Sequence, residues 1–428
     1  MILQSLLKTL TAYKTVLKNT FYLSILEAVH VLIPFVALPY IIKTVGAENY
    51  GKVVFAQAVV LYFMGFVNFG IDTPAVKHVA RNRDCKKRLQ LIVGAVVALK
   101  GLLFCSGLVV FSVIVLLWDK ARNDWPLFFA AYLICLTEIF FTPWFFQGIE
   151  KMFVITVVRG ASMLLYIASL LLFLHQKDQY WLVPLLQSAA LLVTAVYGFY
   201  YMCRKEMVWP VFPGYRFLKR LLKESFPFYL SRSSVSINNS IATLVIGGTL
   251  GNYEVAVYDL AQKLARAALI PVYMLTQAIY PHNARNRNHK FALQAFAGLL
   301  GISIAGLIIL YFIAPFAVDF LGNGQLSAAV PLLRFFEIYI LIGVCTVYCG
   351  TPLLVAWGYP NPFNHSVLIS TGGLLLIYGV FWCTGVASLY YFAAALLLSE
   401  LLILSYRIFY CFKYKIFHLN FIEGKKNA

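Results

Sequence analysis

Two stretches carry charge where the surrounding residues are apolar. SRSSVSINNSIAT places Arg232, Ser236, Asn239 and Thr243 at i, i+4, i+7 and i+11, and EVAVYDLAQKLARAALIP places Asp259, Gln262, Lys263 and Arg266 at i, i+3, i+4 and i+7. Each set returns to one face of an α-helix. Three cations and one carboxylate on two such faces suit a hydrated cavity that receives an anion, and the arginine fork matches phosphate oxygens in pairs. Arg232 and Arg266 are then the expected contacts, with Lys263, Ser236 and Asn239 beside them. The competing reading pairs Asp259 with Lys263 internally, which still leaves Arg266. A third set, Ser24, Glu27 and His30, lies at three-residue steps ahead of Pro34. A carboxylate with a histidine one turn away fits either a proton or sodium relay or a buried structural hydrogen bond. Asp259 is a further candidate for ion coupling. Arg334 and Glu337, one turn apart, are expected to neutralise each other. Lys100, Glu138 and Glu400 are single charges; Lys100 is placed to line a cavity and Glu400 to sit between helices.

These residues need a reason because of what surrounds them. The chain of 428 residues is 61% hydrophobic and 12% charged, against about a quarter charged in an average soluble domain. Apolar stretches long enough to cross a bilayer recur near 20–42, 52–76, 89–117, 125–147, 154–175, 180–203, 226–248, 254–279, 292–315, 329–356, 364–384 and 387–411, the threshold being about 18 residues. A charge at the bilayer centre costs about 2.5–3.5 kcal/mol. The expected fold is therefore an all-α polytopic membrane protein of about twelve transmembrane helices. With the N-terminus cytoplasmic, 25 loop or tail lysines and arginines fall inside and 5 outside, so both ends are expected in the cytoplasm. The net charge of +18 is explained by an inner face beside anionic lipid and calls for no nucleic acid. Leu3, Leu6, Leu7, Leu10, Tyr13 and Leu17 share one face of an expected interfacial helix, and the first apolar run is too long for a cleaved signal peptide.

FYLS occurs at Phe21 to Ser24 and again at Phe228 to Ser231. Thr44-Val45-Gly46 precedes Ala56-Gln57 as Thr249-Leu250-Gly251 precedes Ala261-Gln262, nine residues separating glycine from alanine both times. The matches fall at equivalent points of two halves, which predicts a duplicated unit. The expected organisation is an N-terminal lobe over 1–203 (the interfacial helix and six spans), a cytoplasmic linker over 204–224 and a C-terminal lobe over 225–428. Six helices per lobe imply a pseudo-two-fold axis along the membrane normal, an arrangement that suits alternating access. Cys105, Cys135, Cys345, Cys349 and Cys383 sit within expected spans and no CxxC occurs, so neither disulfides nor a metal site are expected. No GxxxxGK[ST] pattern is present, so no ATPase domain is expected.

LPYIIKTVGAENYGKVVFAQAVVLYFMGFVNFGIDTPAVKHVARNRD, from Leu38 to Asp84, resembles the N-terminal signature of Wzx-type O-antigen flippases, lipid-linked oligosaccharide translocases. TPWFFQGIEKM at Thr142 to Met152 is similar to their fourth-helix motif, and GGTLGNYEVAVYDLAQKLARA at Gly247 to Ala267 to their seventh-to-eighth-helix hairpin. The resemblance implies the polysaccharide branch of the multidrug, oligosaccharidyl-lipid and polysaccharide (MOP) exporter superfamily, with a MATE-like fold and no catalytic activity. It implies a bacterial inner-membrane flippase for an undecaprenyl-pyrophosphate-linked repeat unit. No cofactor is implied beyond coupling to an H+ or Na+ gradient, with Glu27 or Asp259 in that role. Implied partners are the lipid-linked oligosaccharide, membrane lipids, a polysaccharide polymerase and a chain-length regulator. A drug or metabolite exporter of the same superfamily, a membrane polymerase or ligase, and a channel are the alternatives. An acidic cavity would favour the first, and a large external loop with paired catalytic groups the second.

Overall fold

The computed structural model of the chain describes residues 33, 35–385 and 388–416, apart from the side chains of Val235 and Asn239. Every regular element among them is helical. Glu27, His30, the interfacial segment and the first FYLS copy lie outside the described residues. The described chain divides into two compact units that meet in sequence between Ser236 and Ile237.

The first unit contains α1 (Phe35–Val45), α2 (Ala47–Asn68), α3 (Asp72–Arg81), α4 (Lys86–Leu117), α5 (Asp119–Asn123), α6 (Trp125–Tyr132), α7 (Ile134–Phe140), α8 (Pro143–Gly148), α9 (Met152–Phe173), a 3₁₀ turn (Lys177–Trp181) and α10 (Leu182–Lys205). Helix α11 (Tyr215–Thr249) runs through the unit boundary. The second unit holds α12 (Asn252–Asn286), α13 (His289–Gly322), α14 (Ala329–Tyr348), a π-helical turn (Cys349–Val355), α15 (Pro360–Thr384) and α16 (Leu389–Lys413).

Each expected span corresponds to one helix or to a set of consecutive helices. Nine of the described segments are apolar and long enough to cross a membrane. The others are α1, described only from Phe35, and α11 and α12. Of those last two, α11 opens on YRFLKRLLKES and is apolar over Ser240–Thr249, and α12 carries the Asp259 to Arg266 stripe. Elsewhere the outward surface is hydrocarbon. The apolar window of α13 is only 11% buried, and Ile302, Phe312 and Phe316 stand exposed along it, as a lipid-facing helix requires.

Three of the expected spans are interrupted. The second breaks between α2 and α3, where Phe69 (φ 45°) and Gly70 (φ 68°) turn left-handed. A side chain at Gly70 would be strained by that φ, and a Cβ there would stand 2.6 Å from the Tyr229 amide nitrogen; only glycine satisfies both constraints. Phe69 stacks on Tyr229 with centroids 4.6 Å apart, and His78 meets Glu224 at 2.8 Å, so α3 and the start of α11 are fastened together. The fourth span is broken into α6, α7 and α8, with extended backbone at Phe141. The tenth ends in the π turn. Broken helices inside membranes are tolerated where polar groups or protein cover the freed backbone, and two of these three interruptions adjoin buried charge.

Candidate functional site

In the first unit, Asn68 ends α2 and Asp72 begins α3, so the Gly70 turn places both side chains on the same spot. Asn68 donates both amide hydrogens, to Asp72 Oδ2 (2.8 Å) and to Glu138 Oε2 (2.7 Å). Lys100, from the middle of α4, is fully buried and donates to Asp72 Oδ1 at 2.8 Å and Glu138 Oε2 at 3.4 Å. Arg232 Nη1 on α11 reaches Asn68 Oδ1 at 3.4 Å. Two carboxylates thus face one ammonium, with a guanidinium at the edge, and the four formal charges cancel. Lys100 does not line a cavity. The sequence contained its partners but gave no sign of their meeting, because Asn68 and Asp72, Lys100 and Glu138 come from three different spans.

In the second unit the predicted stripe on α12 is present. Leu260, Ala261, Leu264 and Ala265 are buried on one side, while Gln262 and Lys263 are partly exposed and Arg266 is exposed on the other. Lys263 Nζ sits 2.7 Å from Asp259 Oδ2, so the internal pair forms and Arg266 supplies the stripe's net positive charge. Arg232 is exposed and Ser236 half-buried on α11; these two belong to the first unit and the α12 residues to the second.

Arg334 and Glu337 do not pair. The Arg334 guanidinium lies 4.4 Å from the Tyr311 ring centroid, and Glu337 Oε1 is buried with no hydrogen-bond partner. The aromatic face of α13 captures the cation that helix spacing alone assigns to the carboxylate.

Arg407 corrects the sequence reading most sharply. Counted there with the cytoplasmic tail, it is 5% exposed, inside the packing of α14, α15 and α16. Nε donates to Ser366 Oγ (3.0 Å), Nη1 donates to the Thr346 carbonyl (2.7 Å), and the guanidinium lies 4.5 Å from the Phe363 centroid. The π turn makes this possible. A wide turn disturbs the α-helical pairing of carbonyls at its start, and Thr346 O stands at that junction. Gly350 within the turn leaves room: a Cβ there would come 2.6 Å from Arg407 Nη1. The charges of Arg407, Arg266 and Glu400 all act on the Tyr273 hydroxyl, so α12 and α16 direct their charges toward one region. The available signal was Glu400 and Arg407 at i and i+7, on one face of the last span.

The whole-chain comparisons fit this picture. A sequence profile of the family described as "Polysaccharide biosynthesis protein" matches residues 16–287, well over half of the chain. The chain belongs to that family. It is 25% identical over 370 residues to a protein of Escherichia coli (strain K12) named "Putative O-antigen transporter", covering 84% of this chain and 89% of that one. A Shigella dysenteriae protein of the same name is 21% identical over 334 residues, covering 77% and 84%. Among solved structures, the inward-facing conformation of a multidrug resistance MATE family transporter of the MOP superfamily superposes with a TM-score of 0.68 at 13% identity, over 90% of this chain and 94% of that one. The lipid II flippase MurJ, in an inward closed conformation, also gives 0.68, at 12% identity over 92% and 88%. At such identities the superpositions establish the fold alone, that of an all-α multi-pass membrane protein, and the family match bears out the resemblance read from the N-terminal motifs.

Proposed function

We propose that this chain carries a lipid-linked oligosaccharide of the O-antigen type, attached through pyrophosphate to a polyprenol, from the cytoplasmic to the periplasmic leaflet of a bacterial inner membrane. The observation that carries the reading is the polar stripe on α12, where Lys263 meets Asp259 at 2.7 Å and Arg266 stands exposed on the same face, within the part of the chain that matches the family. A pyrophosphate and a polar glycan need a cationic, hydrated path, while the polyprenyl chain stays in lipid. Arg266 and Arg232 are the proposed anion contacts, with Lys263, Ser236 and Asn239 around them. Alternating access of the two halves, driven by an H+ or Na+ gradient, supplies direction; Glu27, His30 and Asp259 are the proposed coupling groups. Both termini are placed in the cytoplasm, and a polymerase with its chain-length regulator would use the delivered unit. The names of the two bacterial relatives support the substrate class. Export of cationic drugs by the same fold would require an acidic stripe, which α12 does not have.

The test is deletion of the gene in its host, followed by extraction of lipid-linked oligosaccharides and assignment of the leaflet that holds them. Completed repeat units trapped on the cytoplasmic face are the expected result. Full-length surface polymer with no trapped intermediate, in a host without a second flippase, overturns the proposal.

A further inference from the structure

Beyond Arg266 the same face of α12 continues through Tyr273, Gln277 and Tyr280, at seven, eleven and fourteen residues on, spacings that return to one helical face. These three, with Thr351, Phe363 and Arg407, border a cavity of about 400 Å³ that lies wholly within the second unit, within the range of small-ligand sites. A guanidinium has five N–H donors. Arg407 spends one on Ser366 Oγ and one on the Thr346 carbonyl. Among the described residues no acceptor takes the other three, and no carboxylate forms an ion pair with it. Glu400, seven residues earlier on the same face, acts on the guanidinium charge without reaching it as an ion pair. A guanidinium that is 5% exposed, whose direct contacts are neutral oxygens and a ring, keeps N–H donors that are costly to bury unless an acceptor takes them.

We propose that this cavity is a phosphate-binding site, in which the unspent edge of Arg407 takes two phosphate oxygens and the Tyr273 and Tyr280 hydroxyls with the Gln277 amide complete the shell. The anchors on Ser366, Thr346 and Phe363 fix the guanidinium plane in advance, as bidentate recognition requires. The phosphate can arrive on the pyrophosphate head of a lipid-linked sugar or on an anionic phospholipid headgroup. In the first case the site extends the translocation reading above, and rests on it.

The full-length protein in nanodiscs of phosphatidylcholine alone is titrated with labelled pyrophosphate, and in parallel with spin-labelled phosphatidylglycerol. Saturable binding is expected, weakened about tenfold or more in Arg407→Gln, in line with loss of two charge-assisted hydrogen bonds, and partly kept in Arg407→Lys. Gln277→Trp, at an exposed position that is not itself an Arg407 anchor, fills the cavity and blocks binding even where Arg407→Gln fails to fold. Pyrophosphate bound and undisturbed by phosphatidylglycerol identifies the substrate head; phosphatidylglycerol retained, or displacing pyrophosphate, identifies the membrane lipid. Absence of saturable binding of both probes, or binding unchanged in Arg407→Gln and Gln277→Trp, overturns the site. Because the readout is binding, its failure leaves the translocation reading standing, and a deletion strain with no trapped intermediate leaves the site standing.

Discussion

Lys100 and Arg407 are both cations sealed inside a membrane protein, at 0% and 5% exposure, and they are resolved in opposite ways. Lys100 has two carboxylates in contact and an asparagine that ties those carboxylates together. Arg407 is held by a hydroxyl, a carbonyl and a ring, which fix its orientation, while Glu400 acts on its charge from beyond ion-pair distance. The first arrangement is closed: nothing further is needed to neutralise it. The second is open. Burial alone does not distinguish a structural cation from a binding one; the charge of its contacts does.

The comparison breaks or sharpens at several points. Lys100→Ala should have the largest effect on folding, up to about 3 kcal/mol, since it strands two half-buried carboxylates. It should be seen as loss of the protein from the membrane and a lower unfolding temperature in detergent. The triple variant Lys100→Met, Asp72→Asn, Glu138→Gln should recover most of that stability, and no recovery would mean that the network is not self-contained. Arg266→Ala should keep normal membrane levels while surface polysaccharide falls about tenfold or more, the scale of a lost charge-assisted contact; Arg266→Lys should retain part of it. Arg232→Ala should likewise lower surface polymer at normal membrane levels, as the second proposed anion contact. Unchanged polymer would remove Arg232 from the anion site and leave it only its 3.4 Å bond to Asn68. Asp259→Asn should change stability least, by about 0.5 kcal/mol or less, the value of a partly exposed i,i+4 pair. A loss of gradient dependence in that variant would transfer the coupling role to Asp259.

Sequence reading located the spans because hydropathy is a local property, and each expected span has its helix. It located the α12 stripe for the same reason: Asp259, Lys263 and Arg266 are spaced by one helix, and the structure keeps the spacing. It could not see the closed network, in which Asn68, Lys100 and Glu138 are brought together by packing over separations of 32 and 38 residues. Arg407 was misplaced because it lies six residues from the end of α16, where loop and core cations look alike in sequence. Arg334 shows the converse error, since helix spacing named Glu337 as its partner and a ring on the neighbouring helix took it instead.

The π turn at Cys349–Val355 bears on how this protein tolerates changes in length. Each residue removed from a helix rotates everything after it by about 100°. A one-residue deletion there would draw the backbone toward ordinary α-helical pairing and swing Pro352, Leu353 and Leu354 off the faces they now occupy. Replacing any of those side chains alters one contact. Losing one position moves all of them at once, so this short segment is constrained more by its count of residues than by their identity.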